Sequence, residues 1–440
     1  MIKIPAIKGF DEQAFQKYFK NTGWLMFGKL LSLIVGLIIA RYLGPTGFGD
    51  LNFILALVAI MAAVGALGLD TFIIRELINE PNKQNEILGT SLGLRVIVNA
   101  LLIPITVAFY LFFYDQVEVK ATPLTLLVVL LSGASFFKSF NVIDAYFQSQ
   151  VKSKYVVHVQ NTVLLVAAAL KIIVVSLGLS LFWIVLVLFI EGFILAIGLI
   201  AIYQKKGGNI YNWTFSWERG KGLLAKSFPL ILSAVMVSIY MKIDQVMLMA
   251  VGREAVGIYS AAANLSEAWY FIPVAIVTSV FPAIIHARKT DLPRYKKRLG
   301  NLYDLLVLIS LPVALFISFF AEDITMLVYG EKFPGVGIIL SIHIWSGVFV
   351  FLGSASSQYL IAEGYTSISF YRTATGAIVN VVLNLWLIPL YGGVGASIAT
   401  LVACAVTTFY LLILSKTREQ GIMMLKSLFL ISSIQKLKKH

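Results

Sequence analysis

About twelve apolar segments of membrane-spanning length follow one another along this chain, and seven basic side chains lie inside them: Lys29, Arg41, Arg95, Lys138, Lys171, Lys242 and Arg372. A charge at mid-bilayer costs roughly 2.5–3.5 kcal/mol on insertion scales, so seven facing lipid would cost roughly 20 kcal/mol, more than a typical folding free energy. Most must therefore face a polar interior. Two interiors meet that need: buried ion pairs, or a water-accessible cationic cavity suited to an anionic cargo.

The expected spans are 22–43, 48–73, 86–113, 122–148, 155–178, 180–203, 226–250, 255–285, 299–320, 336–362, 367–390 and 392–415. Each supplies the ~20 residues that cross a ~30 Å hydrocarbon layer. The ~10-residue alternating segments of a membrane barrel do not recur. Only 13% of the 440 residues are charged, about half the share of an average soluble chain. The fold class is thus an all-α polytopic membrane protein of about twelve transmembrane helices.

The net charge of +13 invites a nucleic-acid reading, but the excess basic residues sit in short loops between apolar runs. With both termini in the cytoplasm, 25 Lys and Arg fall on the cytoplasmic side and 3 (Lys120, Arg253 and Lys332) outside. That asymmetry is the positive-inside signal, and the inverted topology would violate it. Cys404 is the single cysteine, so no intrachain disulfide forms. No cleavable signal peptide is expected, since the first apolar run is long enough to stay as a span. Ile422–Ile434 is about 13 residues long and carries Lys426, which reads as an interfacial amphipathic helix rather than a thirteenth span. The aromatic and basic residues from Phe10 to Lys20 read the same way.

The chain repeats itself. Leu43-Gly44-Pro45-Thr46-Gly47-Phe48-Gly49 is matched 208 residues later by Val251-Gly252-Arg253-Glu254-Ala255-Val256-Gly257, and Tyr146 aligns with Tyr359 at an offset of 213. Six spans per half is an even number, so the halves are parallel repeats, with a site expected between them. The expected organisation is an N-terminal interfacial segment (1–21), an N-lobe (22–204), an inter-lobe loop (205–225), a C-lobe (226–416) and a basic tail (417–440).

Ser91, Arg95 and Asn99 recur every four residues and form one polar stripe; Ser260, Asn264 and Glu267 form another. Such stripes face water or make hydrogen bonds between helices. Lys242 and Asp244, two apart, point to opposite sides of a helix and cannot pair directly. The acids nearest mid-membrane are Asp144, Glu191, Asp244 and Glu267. Of these, Asp244 and Glu267 are candidates for protonation coupling, because burial raises a carboxyl pKa; a fixed structural partner for a nearby base is the alternative. Pro104, Pro273 and Pro312 fall in spans and locally break the helical ladder. The four histidines are scattered without metal-ligand spacing, no catalytic constellation is present, and no phosphate-binding loop points to ATP. No enzyme activity, metal or cofactor is expected.

Three stretches carry a resemblance: Ala40-Arg41-Tyr42-Leu43-Gly44-Pro45 with Phe48-Gly49; Lys242-Ile243-Asp244-Gln245 with Val256-Gly257-Ile258-Tyr259-Ser260; and Asn384-Leu385-Trp386-Leu387-Ile388-Pro389 with Tyr391-Gly392-Gly393-Val394-Gly395. Together they resemble the Wzx-type O-antigen and polysaccharide flippases of the multidrug/oligosaccharidyl-lipid/polysaccharide exporter superfamily, over nearly the whole chain. The resemblance implies two six-helix lobes that open alternately. It also implies an undecaprenyl-pyrophosphate-linked oligosaccharide as cargo, moved from the inner to the outer leaflet of the bacterial inner membrane. Coupling to H+ or another ion is implied for some members, and polysaccharide polymerase or assembly proteins are implied partners. The seven cationic positions become pyrophosphate or acidic-sugar contacts. A multidrug antiporter of the same superfamily is the nearest alternative, though its cationic compounds call for an acidic cavity. A membrane-embedded polymerase or ligase is more distant, since it needs a sizeable outside loop or catalytic acids.

Overall fold

The computed structural model describes residues 12–114 and 124–430, with the side chains of residues 12–27, 114, 282, 289 and 290 left undescribed. The expected interfacial segment before Glu12 and the end of the basic tail lie outside the described residues. Within them the chain is helical and contains no strand. The helices are α1 (Glu12–Gly65), α2 (Asp70–Asn79), α3 (Gln84–Tyr114), α4 (Leu124–Phe136), α5 (Val142–Ser149), α6 (Lys154–Ser176), α7 (Leu181–Lys205), α8 (Trp217–Met247), α9 (Arg253–Glu267), α10 (Phe271–Thr290), α11 (Leu292–Phe319), α12 (Ala321–Tyr329), α13 (Val336–His343), α14 (Ser346–Ala362), α15 (Thr366–Phe409) and α16 (Arg418–Leu428).

Nine helical stretches among the described residues are long and apolar enough to cross a membrane. Two of them cover more than one expected span. The 54 residues of α1 would run about 80 Å as one rod, far beyond a ~30 Å hydrocarbon layer. Gly44, at φ 66°, divides it into two helices, and Pro45 starts the second, where a missing N–H costs nothing. Gly392, at φ 54°, divides α15 in the same way. The expected four-residue turn at 44–47 is thus a single non-helical residue. The expected span 255–285 is shared between α9 and α10, which are separated by residues 268–270, and is not among the nine. Pro104 and Pro312 lie within α3 and α11, whereas Pro273 sits in the first turn of α10 and interrupts nothing. The chain is an all-helical, multi-pass membrane protein.

Packing groups the chain into two compact units, residues 34–260 in one and residues 261–440 with those up to Leu33 in the other. These boundaries fall inside α1 and α9, whereas the six-and-six division counts spans. In the first unit, Leu69, just before α2, and Ile73 and Leu77 of α2 pack with Ile87 and Leu88 of α3, Val142, Ile143 and Phe147 of α5, and Leu199 and Tyr203 of α7. In the second, Tyr295, Leu299, Tyr303 and Leu306 of α11 pack with Val277 and Ile284 of α10, Phe351 and Leu352 of α14, and Met424 of α16. Lipid tails are as apolar as these side chains, so the cores are held by close packing more than by escape from water. Tyr146 is buried in the first core, and Tyr359 packs against the second.

The helix expected at Ile422–Ile434 is α16, which begins four residues earlier. Its Gln420 donates to Tyr303, Ser427 donates to Asp304 at 2.6 Å, and Lys296 pairs with Glu419 at 2.7 Å, so one face is docked on α11.

The segment between α7 and α8 is tightly held. Thr214 N donates to the Asn85 carbonyl at 3.3 Å, and Ser216 N donates to the Thr90 hydroxyl at 3.0 Å. Trp213 Nε1 donates to the Tyr203 hydroxyl at 3.0 Å. One guanidinium then closes the segment: Arg219 reaches Glu76 at 3.1 Å, Glu80 at 2.9 Å and Glu86 at 3.1 Å. The hydrogen bond from Arg219, helped by Lys83, holds the Glu80 carboxyl below its ordinary pKa.

Candidate functional site

Two lysines from different elements address one carboxylate inside the first unit. Lys171 of α6 donates from Nζ to Glu191 Oε2 of α7 at 2.7 Å, with the two side chains 12% and 26% exposed. Lys138 lies just past the end of α4, is exposed, and is within electrostatic reach of the same Glu191. Among the described residues it makes no hydrogen bond or ion pair. The frame is rigid: a side chain added at Gly192 would meet the Ala134 carbonyl at 2.9 Å, and the Phe137 ring stands edge-on to Phe189 and Phe193 at 5.4 and 5.3 Å. Packing of α6 and of the segment after α4 on the same helix, α7, places both lysines toward Glu191. Glu191 is ten residues from the start of α7, about 15 Å along the axis, near the depth where charge is most expensive. Two basic side chains thus face one carboxylate at that depth.

Arg95 has a different task. It is 2% exposed, and its Nη2 donates to Asp70 at 2.7 Å and to the Ala66 carbonyl at 3.1 Å. One turn further, Asn99 Nδ2 donates to the Gly65 carbonyl at 3.1 Å and to Ser139 Oγ at 3.2 Å. Arg95 and Asn99 of the expected Ser91–Arg95–Asn99 stripe thus cap the C-terminal end of α1, whose last carbonyls have no partner within the helix, while the buried Ser91 hydroxyl makes no hydrogen bond among the described residues. The chain then turns through Leu67 and Gly68, both at φ 55°, into α2. Arg372 is likewise structural: 5% exposed on α15, it donates to Ser356 Oγ at 2.6 Å and Ser357 Oγ at 2.5 Å, both on α14.

The remaining predicted cations are dispersed. Lys29 is exposed, with Nζ 5.7 Å above the Phe271 ring, at the edge of cation–π distance. Arg41 is exposed three residues before the break at Gly44, and Lys242 is half-buried on α8. Asp244 is 3% exposed and accepts a hydrogen bond from Tyr259 at 2.6 Å; Glu267 is half-buried at the end of α9. Lys171 is paired with Glu191, and the same carboxylate acts electrostatically on Lys138.

The sequence reading passed over two acids. Asp70 pairs with Arg95, and Asp50, 2% exposed on α1, holds Arg253 through a two-point contact with the guanidinium. Both belong to spans read from hydropathy, and an acid inside such a span is itself the signal. Among the described residues no group of His, Cys, Asp and Glu could hold a metal ion.

A family model described as "Polysaccharide biosynthesis protein" matches residues 16–287, and one described as MatE matches residues 229–386. A Haloferax volcanii protein named a probable flippase, AglR, is 29% identical over 157 residues, 35% of this chain and 33% of its own. A Shigella flexneri protein, named as a candidate O-antigen transporter, is 23% identical over 409 residues, 86% of this chain and 93% of its own. The archaeal relatives are matched over only about a third to two fifths of their lengths. The lipid II flippase MurJ in an inward closed conformation shares the fold at TM-score 0.72 and 15% identity, over 94% of this chain and 92% of its own.

Proposed function

This chain belongs to the polysaccharide biosynthesis protein family, and we propose that it is a flippase for lipid-linked oligosaccharides. The finer reading is that it carries undecaprenyl-pyrophosphate-linked repeat units, of O-antigen or a related surface polysaccharide, from the inner to the outer leaflet of a bacterial inner membrane. Twelve spans, cytoplasmic termini and alternating access are part of the same proposal. One observation carries it: Lys171 is paired with Glu191 in the membrane-spanning part of the chain, and Lys138 lies within electrostatic reach of the same carboxylate, so basic groups outnumber the acid there. The Haloferax relative is named a flippase and the Shigella relative an O-antigen transporter, which supports the reading.

The chemistry follows from desolvation. A pyrophosphate in hydrocarbon loses its hydration with nothing in return, whereas lysine ammonium groups replace water with charge-assisted hydrogen bonds. The polyprenyl tail needs no such exchange and stays in lipid. An inside-negative potential favours outward movement of an anion by ~2.3 kcal/mol per charge per 100 mV. Arg95 already donates to Asp70 and the Ala66 carbonyl, and Arg372 to the Ser356 and Ser357 hydroxyls, so the substrate contacts are assigned first to Lys138 and Lys171, with Lys29, Arg41 and Lys242 as further contacts along the path. Asp244 and Glu267 stay the candidates for ion coupling. The MatE match over residues 229–386 favours a second reading, a small-molecule antiporter. A cationic compound would meet the wrong sign of charge at Lys138 and Lys171.

The test is transbilayer movement of a polyprenyl-pyrophosphate oligosaccharide in proteoliposomes. Wild-type protein should move it, and Lys138→Ala and Lys171→Ala should slow it while remaining folded. Undiminished movement by both folded variants would remove the assignment. Uptake of a cationic dye in place of the lipid would favour the antiporter.

A further inference from the structure

We propose that Glu191 is a resident counter-ion: it fills the anion position addressed by Lys138 and Lys171 in the empty protein and gives it up to the phosphates of the cargo. The inference rests on the flippase reading above and adds a competitor to its binding site.

Three observations lead to it. Lys171 Nζ already holds a carboxylate oxygen at 2.7 Å, the length of a strong N–H to carboxylate bond, so the ammonium is shaped around an anion. Glu191 also acts electrostatically on Lys138, which has no hydrogen-bond partner of its own among the described residues. The backbone bearing Glu191 is fixed, because Gly192 abuts the Ala134 carbonyl and the flanking Phe189 and Phe193 rings close on Phe137. A carboxylate on a fixed helix can leave by rotating its side chain, without moving the helix.

The charges say why such a group belongs here. Two bare ammonium groups in a span would be costly between transport cycles, and one tethered carboxylate lowers that cost. A pyrophosphate carries more negative charge than a carboxylate and has more acceptor oxygens, so it displaces Glu191. Once the headgroup must leave, the same carboxylate competes for Lys171 at the millimolar or higher effective concentration of a tethered group. Binding is weakened and release is hastened by one residue. Glu191 is a positioning residue, since the lysines make the contacts to cargo.

The experiment uses the full chain in nanodiscs with farnesyl pyrophosphate as probe and farnesol as the uncharged control. Glu191→Gln should bind farnesyl pyrophosphate about tenfold more tightly than wild type, since a tethered competitor is removed, and farnesol binding should not change. In proteoliposomes the same variant should lower both KM and kcat for the lipid-linked oligosaccharide. A structural ion-pair role would not produce that split. Should Glu191→Gln fail to fold, Glu191→Asp, which withdraws the carboxylate by one methylene, should show an intermediate tightening. Equal or weaker farnesyl pyrophosphate binding by the folded variant, beside a wild type that binds, would overturn the counter-ion role alone. A wild type that neither binds the probe nor moves the lipid overturns the flippase reading itself.

Discussion

Gly49 and Gly257, equivalent positions of the 208-residue repeat, lie backbone against backbone: a Cβ at Gly49 would strike the Arg253 carbonyl, and one at Gly257 the Pro45 carbonyl. Neither obstacle is the tip of a flexible side chain. The two helices approach here as closely as small residues permit, which is how membrane helices gain contact where the hydrophobic effect gives them none. Gly49→Ala and Gly257→Ala should each destabilise the protein by about 1–3 kcal/mol, as overpacking does. Gly36→Ala, with nothing within 4 Å of the added carbon, should be neutral or mildly stabilising. Thermal unfolding in detergent separates these outcomes, and equal Tm values for all three variants would contradict the contact.

The same contact carries an ion pair. Arg253 is 22% exposed and Asp50 2%, so removing the acid leaves a guanidinium partly withdrawn from water. Asp50→Ala should cost toward the lower end of the about 3–5 kcal/mol seen for broken buried pairs. The double variant Asp50→Ala/Arg253→Ala should be more stable than Asp50→Ala alone. Additive losses in a double-mutant cycle would show that the pair is not coupled.

Arg95 and Lys138, adjacent in the list of basic residues within spans, should behave differently. Arg95→Ala removes a donor from the Ala66 carbonyl at the end of α1 and the partner of Asp70, so it should lower Tm and reduce the amount of folded protein. Lys138→Ala removes no hydrogen bond and should leave Tm unchanged while slowing lipid movement. Unfolding curves and proteoliposome rates on the same preparations check both.

Glu80 supplies a pH dependence. Its folded pKa lies below the ordinary 4.5, so its pairing with Arg219 contributes fully above that value. The contribution is lost as pH falls through the folded pKa. Wild type and Glu80→Gln should therefore differ in Tm at pH 7 and converge under acidification below the ordinary carboxylate range. A difference that persists or grows on acidification would assign the effect to something other than this charge.

Much of the fold was legible because hydrophobic length is a local property. The breaks at Gly44 and Gly392 were visible as glycine clusters, although each proved to be one residue long. The face bearing Ser91, Arg95 and Asn99 followed from a four-residue period. What that face meets did not follow, since the carbonyls of Gly65 and Ala66 leave no trace in side-chain identity. The meeting of Lys171 with Glu191 is tertiary: the residues are twenty apart on separate helices, and spacing alone cannot tell a pair from two residues on unrelated faces. Asp50 was passed over because only the acids nearest mid-membrane were weighed, and its partner Arg253 lies beyond the span in sequence.

The segment joining α7 to α8 has a practical consequence. A polar stretch between two long apolar helices is the usual place to insert an affinity tag, a fluorescent protein or a protease site. Here its backbone is stitched to α3 at Asn85 and Thr90, and Arg219 gathers three glutamates from the neighbouring helix ends. Tolerance of insertion depends on backbone hydrogen bonding rather than on position in the chain. A cassette placed between Asn212 and Arg219 would tear out that stitching, so labels for distance measurements belong elsewhere on the molecule.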